Sequence, residues 1–152
     1  MSIVKGIIVA VVALIIVIAL VAGALIGAGV MGWKAAQRAG NEAATIQDMK
    51  TIEAVEVQYY NTHNRTFGTL DQMIESKMLS QRFSGNVPIV DGYAFTLIVS
   101  PKTTSKPSSY TVTADPQNES TGKNHFYLDS TDSTIRVNSG RRASASDPPL
   151  GG

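Results

Sequence analysis

The chain has 152 residues, no cysteine and a formal net charge of +1, from 13 Lys and Arg against 12 Asp and Glu. With Lys5 set aside, 12 basic residues face 12 acidic ones from Trp33 onward, so there is no basic surplus of the kind nucleic-acid binding needs. The missing thiols exclude disulfides, thiolate metal sites and a cysteine nucleophile, and the length suits one modest domain beside a terminal segment.

Residues 1–6, Met-Ser-Ile-Val-Lys-Gly, read as a short leader or cytoplasmic segment. Ile7 to Gly32 then runs without a charge. As a helix, roughly 26 residues reach about 39 Å, more than the ~30 Å of bilayer hydrocarbon. The sequence therefore predicts a transmembrane helix over 7–32, with membrane lipid as its partner. A cleaved secretory signal is the rival reading, with Val21-Ala22-Gly23-Ala24 as its cleavage region, but signal peptides have apolar regions of only about 7–15 residues. Charge leaves the orientation nearly tied, Lys5 and the amino terminus against Lys34 and Arg38. Gly23 and Gly27, like Ala24 and Ala28, are four apart, with Gly32 next in the row. That spacing puts small residues on one face, where another helix packs closely.

Residues 33–61 predict an extramembrane continuation of the same helix. Trp33 suits the membrane interface, and the good helix formers Ala, Glu, Gln and Lys dominate Lys34 to Tyr60. Ile46, Met49, Ile52, Val55, Tyr59 and Tyr60 form an apolar sector, blunted by Glu53 and Glu56. Gly40-Asn41 is its weak point, costing ~1 kcal/mol of helix propensity. The globular domain is expected over 62–137. It opens with a polar turn at Asn61–Arg65 and a short helix from Leu70, announced by the capping-box spacing of Thr69 and Gln72. Arg82 to Asp91 reads as loop. Strands are expected at Gly92–Ser100, Ser109–Ala114, His125–Asp129 and Thr134–Val137, and their short connections predict an antiparallel sheet. Residues 138–152, rich in Ser, Gly, Pro and Arg, read as a disordered tail.

Little here points to catalysis. His63 and His125 are isolated in sequence, so no metal site is expected. Asp129 and Asp132 bracket a turn without a calcium loop's dense oxygen ligands. No phosphate loop or Ser–His–Asp signature is present, so neither a cofactor nor a small-molecule substrate is expected. Asn118-Glu-Ser has the form of a glycosylation acceptor, and Arg141-Arg-Ala-Ser that of a basophilic kinase site in a tail. The five tyrosines, with Phe67, Phe95 and Phe126, are assigned to packing.

Asn41-Glu-Ala-Ala-Thr-Ile-Gln-Asp-Met-Lys-Thr-Ile-Glu-Ala-Val-Glu-Val-Gln-Tyr-Tyr60, followed by Phe67-Gly-Thr-Leu70, resembles the stem of the type IV pilin and type II secretion pseudopilin family. Gly92-Tyr-Ala-Phe-Thr-Leu97, Tyr110-Thr-Val-Thr-Ala114, Thr121-Gly-Lys-Asn-His-Phe-Tyr127 and Ile135-Arg136 are similar to the family's sheet. The resemblance covers roughly Asn41 to Val137. It implies an α+β fold, a long N-terminal transmembrane-plus-stem helix packed on a small antiparallel sheet. It also implies a leader cut between Gly6 and Ile7, although Val11 stands where the family has a glutamate. The function implied is a structural subunit, not an enzyme, of a type IV pilus or type II secretion filament, polymerising through its N-terminal helix. Its partners would be further copies or other pilins and secretion proteins. It would lie in the bacterial inner membrane with a periplasmic C-terminal domain, reaching the cell surface once assembled. The alternative is a non-polymerising, membrane-anchored binding or envelope module with a pilin-like ectodomain.

Overall fold

The computed structural model describes residues 2–151, with side-chain surroundings for Ile16, Leu20 and residues 29–151. The chain divides into two units, Met1–Gln37 and Arg38–Gly152. Helix α1, Ser2–Thr62, contributes to both. Among the described residues no helix is long and apolar enough to cross a membrane. The transmembrane element expected in the fold is thereby corrected. The part of α1 with described side chains carries Lys34, Arg38, Glu42, Asp48, Lys50, Glu53 and Glu56, so it is amphipathic. Most of the 7–32 stretch lies outside the residues whose side chains are described.

In the second unit the apolar stripe of α1 becomes the wall of the core. Met49, Ile52, Val55 and Tyr59, spaced by three or four residues, are buried, and Ile46 packs at the edge of the cluster. Past Thr62 the chain turns back through Asn64 and Arg65, both at positive φ. Helix α2, Leu70–Glu75, then begins with the expected capping box. The Gln72 amide N–H donates to Thr69 Oγ1, and the Thr69 amide N–H to Gln72 Oε1. Leu70, Met73 and Ile74 are its buried face. A 3-10 turn at Gln81–Phe83 comes next, and it buries Phe83 edge-on against Phe95 at 5.5 Å between ring centroids.

Five strands make one antiparallel sheet in the order β1-β2-β3-β4-β5. They are β1 Ile89–Val90, β2 Tyr93–Ser100, β3 Ser109–Pro116, β4 His125–Asp129 and β5 Arg136–Asn138. Strand β1 lies where the sequence predicts loop. It pairs Val90 with Tyr93 across the two-residue Asp91–Gly92 turn, whose positive φ values (51° and 80°) suit a tight hairpin. The inner face alternates as a half-buried sheet should, with Tyr93, Phe95, Val112, Ala114, Phe126 and Leu128 fully buried. Its outer face is mostly polar, carrying Thr96, Thr113, Tyr127, Asp115, His125 and Arg136, with Ile89 and Ile98 as exposed apolar exceptions.

The tail expected to be disordered is ordered. Val137 N–H donates to Pro148 O at 3.1 Å and Leu150 N–H to Ile135 O at 2.8 Å, and Arg136 bridges to Pro149. Composition hides this, because the segment is held by one carboxylate and not by an apolar run. Asp147 accepts from Asn138 Nδ2 (2.8 Å), Arg141 Nη2 (2.8 Å) and the Ser144 amide (2.8 Å), while Ala143 is buried. Those donors, with Asn138 first, hold the Asp147 carboxyl down at about 2.

Candidate functional site

In the first unit, α1 presents large apolar side chains to solvent. Val30 is 50% exposed, Met31 75% and Trp33 73%, and Ile16 and Leu20 are exposed as well. A Cβ added at Gly29 or Gly32 would meet nothing within 4 Å. Scattered surface apolar residues are ordinary, but a run of them along one short stretch is the mark of an interaction surface. Gly32 is the described member of the expected small-residue row. Gly23, Ala24, Gly27 and Ala28 lie outside the residues with described side chains, as do Gly6, Ile7 and Val11.

In the second unit, α1 is tied to the domain by carboxylates spread along its length. Glu42 Oε1 accepts from the Lys123 amide at 2.9 Å and the Asn124 amide at 3.3 Å, and Oε2 accepts from Asn124 Nδ2 at 2.7 Å. One residue earlier on the helix, Asn41 Nδ2 donates to Thr121 O at 2.9 Å. This pins the β3–β4 connection onto the helix. Tyr93 OH donates to Asn124 O at 3.0 Å from the sheet side, so the same loop is held from two directions. Further along, buried Asp48 pairs with Arg82, which also reaches Asp91 at 3.4 Å. Burial pushes the Asp48 carboxyl up, against the pull of Arg82.

Glu56 is the unexpected member of this series. Beside the apolar stripe in sequence, it is fully buried. Its Oε2 accepts the Gly68 amide N–H at 2.9 Å, and its Oε1 has no hydrogen-bond partner among the described residues. Burial pushes this carboxyl up to about 7, the Gly68 hydrogen bond opposing it. Gly68 has to be a glycine, since a Cβ there would sit 2.9 Å from the Tyr59 ring. Phe67, beside it, stacks on Tyr60 and meets Tyr110 edge-on, and its amide donates to Ser108 Oγ at 3.1 Å. A single buried acid thus seats the turn that leads into α2.

The two histidines are separate. His63 stacks on Tyr59 at 3.8 Å. His125 Nδ1 lies 2.6 Å from Asp115 Oδ1, and Asp115 Oδ2 pairs with Arg142 at 2.6 Å. His125 lines an open, polar cavity of about 540 Å³ with Asn118, Glu119, Lys123 and Ser139. Among the described residues no group of three or more His, Cys, Asp or Glu is placed to hold a metal. Asp129 and Asp132 are used internally: Asp129 accepts from Tyr127 OH (2.8 Å) and the Thr131 amide (2.8 Å), Asp132 from the Thr134 amide (3.0 Å). The Thr134 amide, ahead of Arg136, holds the Asp132 carboxyl down. Asn118 lies in an exposed turn with its Oδ1 accepting the Ser120 amide at 2.9 Å. Ser144, the serine of the basophilic pattern, has its hydroxyl donating to Asp147 at 2.9 Å inside the ordered tail.

No family model matches the chain, and no curated protein or solved structure matches it either.

Proposed function

We propose that the chain is a pilin-like or pseudopilin-like structural subunit that polymerises through α1. The observation that carries this reading is the division of labour along one helix. Its later part is the wall of the domain core, through Met49, Ile52, Val55 and Tyr59. Its earlier part offers Val30, Met31 and Trp33 to solvent, with the open glycines Gly29 and Gly32 alongside them. Burying three such side chains against neighbouring copies would contribute roughly 1.5–3 kcal/mol each. In this reading the domain lies outside the cytoplasm and reaches the cell surface in the filament, and its contacts are other copies, other pilins or secretion proteins.

The test is electron microscopy of surface preparations from producing cells. Filaments containing the chain are expected, and they should vanish with Val30→Asp combined with Met31→Asp. Thermal unfolding of the domain should stay unchanged in that variant, since neither residue belongs to the core. Filaments that persist in the double variant would remove the assembly role from this face. Mass spectrometry adds a second reading, because the pilin route expects a mature terminus at Ile7 carrying one methyl group.

The second reading is a non-polymerising binding module, favoured by the polar cavity beside His125. It expects no filaments and a soluble ligand whose binding is lost on His125→Ala.

A further inference from the structure

Strand β2 is longer than the strand that covers it. Strand β1 pairs only with Tyr93 and Ala94, and the last bond on that side runs from Phe95 N–H to Pro88 O at 2.9 Å. That bond fixes which residues of β2 face outward. Backbone groups in an antiparallel strand alternate sides, so Phe95, Leu97 and Val99 all point away from β3. The ladder on the other side agrees. Gln117 N–H donates to Gly92 O at 3.0 Å, so the even-numbered residues of β2 bond to β3. The N–H and C=O groups of Leu97 and Val99 therefore stand along an open edge, and none has a hydrogen-bond partner among the described residues.

Natural sheets protect such edges with lysine, proline, a bulge or a covering segment. Here Thr96-Leu-Ile-Val-Ser100 has no charge and no proline. Its outer face carries Ile98, 61% exposed, and Val87 and Ile89, ahead of and in β1, are exposed as well. The opposite edge of the same sheet is covered, because residues 147–150 lie along β5. One edge is closed by the chain itself, and the other, where Leu97 lines a small cavity with Thr69, Asp71, Gly85 and Asn86, has no backbone partner among the described residues.

We infer that the Thr96–Ser100 edge of β2 pairs antiparallel with the same edge of a second copy, about a two-fold axis at Ile98. The five residues Thr96–Ser100 are self-complementary in this register. Leu97 of each copy lies opposite Val99 of the other, and each such pair exchanges two backbone hydrogen bonds. Ile98 meets its own copy as a non-hydrogen-bonded pair, where side chains approach most closely. The flanks select the antiparallel direction. The antiparallel register sets Lys102 opposite Ala94 of the partner and keeps Lys106 away from its counterpart, toward the end where Asp91 lies 3.4 Å from Arg82, whereas a parallel in-register pairing sets Lys102 against Lys102. The ladder stops at Ser100 because Pro88 already covers the edge at Phe95. This contact belongs to the globular unit and stands whether or not α1 polymerises.

The absence of native cysteine makes the test direct. In the full chain, Ile98→Cys is expected to give a disulfide-linked dimer under mild oxidation, since a non-hydrogen-bonded pair sets Cα atoms about 4.5 Å apart. Thr111→Cys, paired with Ile98 on the next strand inward, is expected to give none. Thr96→Cys alone should also give none, but mixed with a Ser100→Cys chain it should form a heterodimer, which reports the register. Adding Val99→Pro to Ile98→Cys should abolish the dimer. That proline removes only an outward N–H, and an unchanged β-sheet signal in circular dichroism checks the fold. Equal cross-linking at Ile98 and Thr111, no dimer at Ile98, or a dimer that survives Val99→Pro overturns the inference. So does Ile98→Cys linking only to a different polypeptide, which would make the edge a receptor for an extended segment of another protein.

Discussion

Two carboxylate-held regions beside the sheet are built from opposite materials. At β5, a segment with little to bury is folded back by one carboxylate, Asp147, which collects donors from Asn138, Arg141 and Ser144. After α1, the turn whose Phe67 meets Ser108 and Tyr110 is seated by Glu56, a carboxylate with one amide for company and one oxygen without a partner among the described residues. A carboxylate rich in donors holds its charge, and one deprived of them holds its proton. The first lies at about 2 and the second at about 7. The two regions must therefore respond to pH with opposite signs.

The largest expected effect comes from removing the covered flank altogether. Deleting residues 139–152 takes away the Asp147 cluster, the Arg142–Asp115 pair and the bonds along β5. A loss of about 3 kcal/mol or more is expected in urea unfolding, as for other variants that break a buried polar network. The sheet would then have two bare edges, so concentration-dependent association should increase. A stability within ~0.5 kcal/mol of the full chain would mean that the segment merely rests on the sheet.

Next in size is the pH response of Glu56. The carboxyl ordinarily titrates at 4.5 and in the fold at about 7, so the folded chain binds the extra proton between those values. Its contribution is complete below pH 4.5 and is lost as the pH rises through 7. The span amounts to roughly 3 kcal/mol for a fully buried group. Urea midpoints should fall between pH 5 and 8, and Glu56→Gln should flatten that fall. Asp147 runs the other way: its contribution is present above the ordinary value of 3.8 and disappears as the pH drops toward 2. Hydrogen exchange separates the two, with Gly68 opening at the alkaline end and Val137 and Leu150 at the acid end.

Much of the covered interior is legible in the sequence because it obeys a period. The stripe Met49, Ile52, Val55 and Tyr59 and the alternations Tyr93–Phe95 and Tyr110–Val112–Ala114 each point at a buried face, and the structure buries them. Thr69 and Gln72 announce α2 through local hydrogen bonding alone. What escapes has no period. Strand β1 is two residues long, and its one signal is the Asp91–Gly92 hairpin pair. The tail is ordered by Asp147, a single charge whose donors gather only in three dimensions. Glu56 blunts the apolar stripe in sequence, and the structure shows why: it lies inside. The transmembrane element rests on the apolarity of 7–32, and among the described residues no helix meets that description. Nor does the spacing of His125 and Asp115 announce their 2.6 Å contact, since they sit on different strands.

A smaller effect belongs to that contact. Asp115 sits between His125 and Arg142 and so joins β3 and β4 to the folded-back tail. Asp115→Asn keeps the shape and removes the charge. About 1 kcal/mol of destabilisation is expected, the range for a partly exposed charged hydrogen bond, together with faster exchange of the tail amides. Unchanged exchange at Val137 and Leu150 would show that Asp147 alone holds the covered flank.

The smallest stability effect separates the two flanks most sharply. Ile98 lies on the outer face of β2, with most of its side chain already in water. Ile98→Lys should shift the unfolding free energy by no more than ~0.5 kcal/mol, as surface changes do. Its effect on pairing is of another kind, since two lysines would face each other at the two-fold axis and like charges directly opposite repel. Sedimentation velocity should therefore show loss of edge-dependent association with no change in melting temperature. The equivalent change on the covered flank, Leu150→Lys at a side chain 40% exposed, should leave both unfolding and association unchanged, because Leu150 N–H already bonds to Ile135 O and no incoming strand can use it. If both variants altered association alike, the tail would be a loose cover and the distinction between a closed and an open edge would fail.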